Sequence, residues 1–148
     1  MSNTDLVAFL RARFDEDEQT ARAAAARPSG VSGERWRVSG THSDDGGTYW
    51  SVTTVSSDDR VGVIELIGSG MSGGGAHTEE VAQHVVHHAP ARVLAEVDAK
   101  REVLRLASAA HDYYETFMSG FAAEMEKALR LFAVAYADHP DYKNTWRP

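Results

Sequence analysis

The sequence contains no cysteine, which removes disulfide scaffolds, thiolate-ligated zinc, iron–sulfur clusters and thiol nucleophiles together. Proline is scarce at four residues, and three of them, Pro28, Pro90 and Pro140, fall where helical patterns stop or start. No run approaches the ~18 consecutive apolar residues of a membrane span, so no membrane partner is expected. Positive charge is in deficit. Lys and Arg total 15 against 22 Asp and Glu, a net charge of −7, and the cations are not clustered. No nucleic-acid partner is therefore expected. The opening MSNTDLVAFLRARFDEDE is acidic and amphipathic, unlike a signal or transit peptide, and the expected location is cytoplasmic.

What is present is the make-up of one folded domain: 148 residues, 43% hydrophobic and 25% charged. Glycine and alanine divide it. Eleven of the 12 glycines lie between Gly30 and Gly75, while all 22 alanines lie outside residues 28–75. Alanine favours helix and glycine opposes it, so strands and turns are predicted in the middle and helices on both sides. The expected fold is α+β in a single domain over residues 1–148. It comprises an N-terminal helix (5–26), a three-stranded antiparallel β-meander (34–67), a Gly-rich loop (68–76), two or three C-terminal helices (78–137) and a tail (138–148).

In the first helix, Thr4 is a suitable N-cap, and Leu6, Val7, Leu10, Phe14 and Ala21 form an apolar stripe. The acidic run Asp15–Glu18 reads as a solvated face, because Arg11, Arg13 and Arg22 stand one turn away. The meander is read from Glu34–Val38, Thr48–Val55 and Arg60–Ile67, with Trp36 and Val38 on one face and Trp50 and Val52 on one face. Between the first two strands, His42 and Ser43 lie in a polar loop. Beyond Pro90, two stripes follow: Val93, Leu94, Val97, Leu104, Ala107 and Tyr114, then Phe121, Met125, Ala128, Leu129, Phe132 and Tyr136. Gly120 either separates two helices of a hairpin or sits inside one long helix. A single helix of ~45 residues would demand a partner chain.

Four constellations could carry chemistry. Gly68-Ser69-Gly70-Met71-Ser72-Gly73 spells G-x-G-x-x-G, so Gly70 and Gly73 are candidates for cradling a phosphate. Glu79 and Glu80 in the next helical turn oppose an anion there. His77, His84, His87 and His88 form the second, with His84 and His88 at the (i, i+4) spacing that lets two imidazoles meet one ion. Glu80, His84 and His88 cannot all reach that ion, because i and i+8 stand ~12 Å apart on a helix. A further ligand would have to come from elsewhere, such as His111, His139 or Asp138. Trp36 and Trp50 are candidates for stacking a ligand, or else form an apolar face packed on helices. In Asp138-His139-Pro140-Asp141-Tyr142, an oriented base competes with simple helix termination. No serine sits in a G-x-S-x-G elbow, and no catalytic residue, metal ligand or cofactor is assigned.

Three segments also resemble a family of small uncharacterised actinobacterial and phage proteins, a domain of unknown function. They are Asp5–Arg13 with Asp15–Gln19; His84–His88 with Pro90–Val97 and Ala99–Arg101; and Tyr136–Tyr142 with Trp146–Pro148. The balance of 12 Arg to 3 Lys suits a high-GC genome. The resemblance implies no catalytic residue. His88-Ala89-Pro90 departs from the family's His-Asp-Pro, and the cysteines expected between its last two motifs are absent. The function expected is that of a non-enzymatic binding or interaction protein, an accessory factor of a phage or mobile element. It is expected to form a homo-oligomer, a dimer, through the C-terminal helices. The alternative is a protein that binds a phosphate-bearing small ligand, a nucleotide or a metal through the Gly-rich loop and the histidines.

Overall fold

The computed structural model describes residues 3–26, 33–42, 46–55, 65–67, 78–113 and 119–148. It is an α+β chain with an N-terminal helix, an antiparallel sheet and C-terminal helices. The elements are α1 (Asn3–Ala25), β1 (Trp36–His42), β2 (Thr48–Thr54), β3 (Glu65–Ile67), α2 (Glu79–His87), α3 (Pro90–Tyr113) and α4 (Ser119–Val134). A single 3-10 turn, Asn144–Trp146, follows in the tail. Two compact units divide the chain, residues 1–17 with 96–148 and residues 18–95. No helix among the described residues is long and apolar enough to cross a membrane.

In the first unit, α1 buries Leu6, Phe9, Leu10 and Phe14. Phe9 joins the expected stripe, and Val7 is only half-buried. The reason is tertiary: the rings of His139, Tyr142 and Trp146 close over Phe9 at centroid distances of 5.8, 6.2 and 4.9 Å. The helix starts at Asn3, so Thr4 lies inside its first turn instead of capping it. Phe14 meets Phe132 of α4 edge-on at 6.5 Å, and Lys100 of α3 lies 6.0 Å from the Phe14 ring centre. α3 contributes Val97, Leu104 and Ala107 to this core. On α4 the buried line is Leu129 and Ala133, whereas Phe121, placed on the expected stripe, is 47% exposed. Gly120 lies in the first turn of α4, so it does not form the break between α3 and α4. Residues 114–118 lie between those helices, outside the described residues.

The acidic run of α1 is more than a solvated face. Glu16 pairs with Arg13 at 2.9 Å, but Asp15 reaches Arg101 of α3 at 2.6 Å, and Asp17 accepts a hydrogen bond from the Tyr136 hydroxyl. The tail runs back along α1: Tyr136 stands at Asp17, Tyr142 at Phe9 and Lys143 at Asp5.

In the second unit, β1 and β2 pair antiparallel from Trp36↔Thr54 to His42↔Thr48. His42 therefore ends a strand instead of lying in a loop, and its Nδ1 is 3.1 Å from Thr48 Oγ1. Pairing overrides local polarity here, because the register sets residues 39–42 opposite residues 48–51 of β2 and alternate ones exchange ladder hydrogen bonds. Gly46, at φ +81°, supplies the left-handed residue that the reversal needs. β3 lies antiparallel to β2, with Ile67 opposite Val52 and an irregular register next to Thr53. Residues 60–64 of the expected strand lie outside the described residues. Alternation puts Trp36, Val38, Trp50 and Val52 on one face, and α2 covers it with Ala82, Val85 and Val86. A Cβ at Gly40 would stand 2.9 Å from the Trp50 ring, so the indole lies where only glycine leaves room.

Two substitutions test this packing by urea denaturation. Phe14→Ala should cost about 3–5 kcal/mol as a fully buried ring is deleted, whereas Leu106→Ala, on an exposed site of α3, should cost about 0.5 kcal/mol or less. Gly40→Val should displace the Trp50 indole and cost about 1–3 kcal/mol, seen also as a red shift in its fluorescence.

Candidate functional site

The histidines converge where α2 gives way to α3. Thr78 caps α2, its hydroxyl accepting from the Val81 N–H at 3.3 Å, and His88 ends the helix. Ala82, Val85 and Val86 take the inner face at i, i+3 and i+4. Glu80, His84, His87 and His88 are thereby left exposed. Pro90 begins α3 as its first residue, and the Ala91 N–H donates to the Glu34 carbonyl at 2.9 Å. An open cavity of about 550 Å³ is lined by Glu79, Glu80, Gln83, His84, His87, His88 and Arg92.

Hydrogen bonding assigns two of the ring tautomers. His88 Nδ1 is 2.8 Å from the His84 carbonyl oxygen, and a carbonyl only accepts, so His88 carries a proton on Nδ1. Neutral His88 then keeps its lone pair on Nε2. Arg92 Nη1 lies 3.4 Å from His87 Nδ1, and a guanidinium only donates, so this ring nitrogen is the acceptor. The His84 and His88 rings lie 4.5 Å apart, tilted by 49°. At the other end of α2, the Glu80 carboxyl is held below the usual carboxylate range by its own backbone N–H and then by the Thr78 hydroxyl. Glu80 lies in the first turn of α2, where a negative charge is favoured by the helix dipole, one turn before His84.

His84 and His88 are thus brought together. Trp36 and Trp50 stand in the sheet face under α2, half-buried, and the Trp36 indole N–H donates to the Gly33 carbonyl at 2.7 Å. Gly70, Gly73 and His77 lie outside the described residues, as does the side chain of His111. Among the described residues, no group of three or more His, Asp or Glu is arranged to hold a metal ion.

The Asp138–Tyr142 segment belongs to the first unit and does not stop the helix, because α4 already ends at Val134 with the Tyr136 N–H donating to the Ala133 carbonyl at 3.0 Å. His139 Nδ1 accepts from the Asp141 N–H at 3.1 Å while its ring packs on Phe9. Sequence reasoning missed Tyr136 and Asp17. Burial first, and then the bond to Asp17, pushes the Tyr136 phenol well above its ordinary value. No local pattern pairs two residues so far apart along the chain.

The Tyr136 shift gives a pH signature. The folded state holds the phenol proton more tightly than the unfolded state, so this stabilisation is complete below about pH 10 and is lost as pH rises above it. Tyr136→Phe should remove that alkaline slope and cost about 1 kcal/mol at neutral pH, because the half-exposed bond is partly screened. Urea titrations at pH 7 to 11 read both effects.

A model of a family of unknown function, DUF6221, matches residues 3–148. No curated protein and no solved structure matches the chain.

Proposed function

The chain belongs to this family of unknown function, and on that premise we propose that it is a non-enzymatic interaction protein that pairs with a second copy of itself through the outer face of α4. The observation that carries this reading is the placement of exposed apolar side chains. Phe121, Leu131 and Val134 are 47%, 62% and 43% exposed, all on one sixteen-residue helix. Leu131 and Val134 stand one turn apart on the same side of α4, and apolar groups that adjoin in this way mark interaction surfaces, whereas single ones do not.

Charge order favours a second copy as the occupant. Glu124 and Glu126 precede Lys127 and Arg130, so an antiparallel copy of α4 sets acids against bases along the seam. Within one chain the same groups pair as Glu124–Lys127 and Glu126–Arg130, each at 2.6 Å, and both arrangements share them. Beside Leu131, a cavity of about 530 Å³ is lined by Ala123, Lys127 and Pro148, and Arg130 holds the tail there by donating to the Thr145 carbonyl at 3.2 Å. A cytoplasmic accessory role in a phage or mobile element belongs to the same proposal and rests on the sequence resemblance.

Light scattering across a concentration series tests it. A species of about twice the 16.2 kDa chain mass is expected, and Leu131→Glu should return it to one chain mass while leaving the helical circular dichroism unchanged. A single-chain mass at the highest concentration would sink the reading.

A further inference from the structure

We propose that His84 and His88 form a binding site for one divalent transition ion of the zinc, copper or nickel class. Its remaining coordination positions stay open to water or to an oxygen donor of a small ligand. Three observations converge on it.

The first is spacing. With metal–nitrogen bonds of ~2.0–2.1 Å, two imidazoles on one ion stand with centroids about 4.5 Å apart at a right angle and about 5.2 Å apart at the tetrahedral angle. The His84 and His88 rings already lie 4.5 Å apart. The second is orientation. His88 donates its Nδ1–H to the His84 carbonyl at 2.8 Å. A metal-bound histidine is commonly held by such a bond from its other ring nitrogen, which fixes the tautomer and makes Nε2 the ligating atom. Here the acceptor belongs to the very residue that supplies the second ring. The third is access: both side chains are exposed and line an open cavity of about 550 Å³.

The chemistry selects the ion. Two neutral imidazoles with no thiolate suit zinc, copper or nickel over magnesium or calcium, which take oxygen ligands. Glu80 does not complete the set, because it stands two helical turns, ~12 Å, from His88. Two protein ligands leave the remaining positions of the ion to water or to an oxygen donor of a small ligand.

Calorimetric titration of the full chain with zinc chloride tests the site. One ion per chain is expected. His84→Ala and His88→Ala should each weaken binding by about tenfold or more, and His42→Ala, on another exposed histidine, should leave it within about twofold. Both target side chains are exposed, so circular dichroism should show the fold retained. Nitrogen-15 spectra give a readout that does not depend on affinity. The free protein should show His88 protonated on Nδ1, and zinc should shift His88 Nε2 together with a ring nitrogen of His84. The assignment is overturned by zinc binding that persists in the double variant. It is equally overturned by the absence of saturable binding below about 1 mM, or by zinc that leaves the His88 nitrogens unmoved.

Discussion

The histidine site depends on one contact, the burial of α2 on the sheet. A helix of nine residues does not hold itself in water, because nucleation costs more than so few bonds return. It persists because Ala82 settles on Val52 among Trp36, Val38, Trp50, Val85 and Val86. The small side chain of Ala82 allows the helix backbone to approach the sheet closely. Once that face is turned inward, a period of 3.6 residues leaves no choice for the rest: Glu80, His84 and His88 must face out. The paired rings are a by-product of apolar packing, and the bond from His88 to the His84 carbonyl then locks one of them.

The other unit follows the same rule with α1 as its spine. Leu6, Leu10 and Phe14 are nearly inaccessible, and fully burying side chains of this kind contributes about 1.5–3 kcal/mol each. Phe9 extends that stripe sideways and gathers the rings of the tail. Polar contacts then set the register along the helix, through Asp5 to Lys143, Asp15 to Arg101 and Asp17 to Tyr136. An exposed ion pair such as Asp5–Lys143 adds little stability in water, so its role is placement more than strength. Arg13 shows the cost of the arrangement: its Nε is buried without a hydrogen-bond partner, and its guanidinium rests 5.7 Å from the Phe9 ring centre.

Much of this is legible in the sequence. The split of glycine from alanine placed the strands between helices, Thr78 marked a helix start, and Pro90 another. The (i, i+4) spacing of His84 and His88 announced that their rings could meet. Less legible was anything whose partner lies far along the chain. Phe9 looked like an ordinary position until three tail rings closed over it, and Asp17 looked like one charge in a solvated run. His42 read as loop because its polarity is local, while the ladder that captures it is not.

The sequence by itself determined that strands lie between helices, that α3 begins at Pro90, and which face of α2 carries the histidines, because these follow from composition, periodicity and local backbone chemistry. Only the tertiary structure decided which apolar residues are covered and which are left outside. Phe121 and Leu129 are equally apolar and sit on one predicted stripe, yet one is 47% exposed and the other fully buried. The difference lies in what packs against the helix, and periodicity holds no information about that.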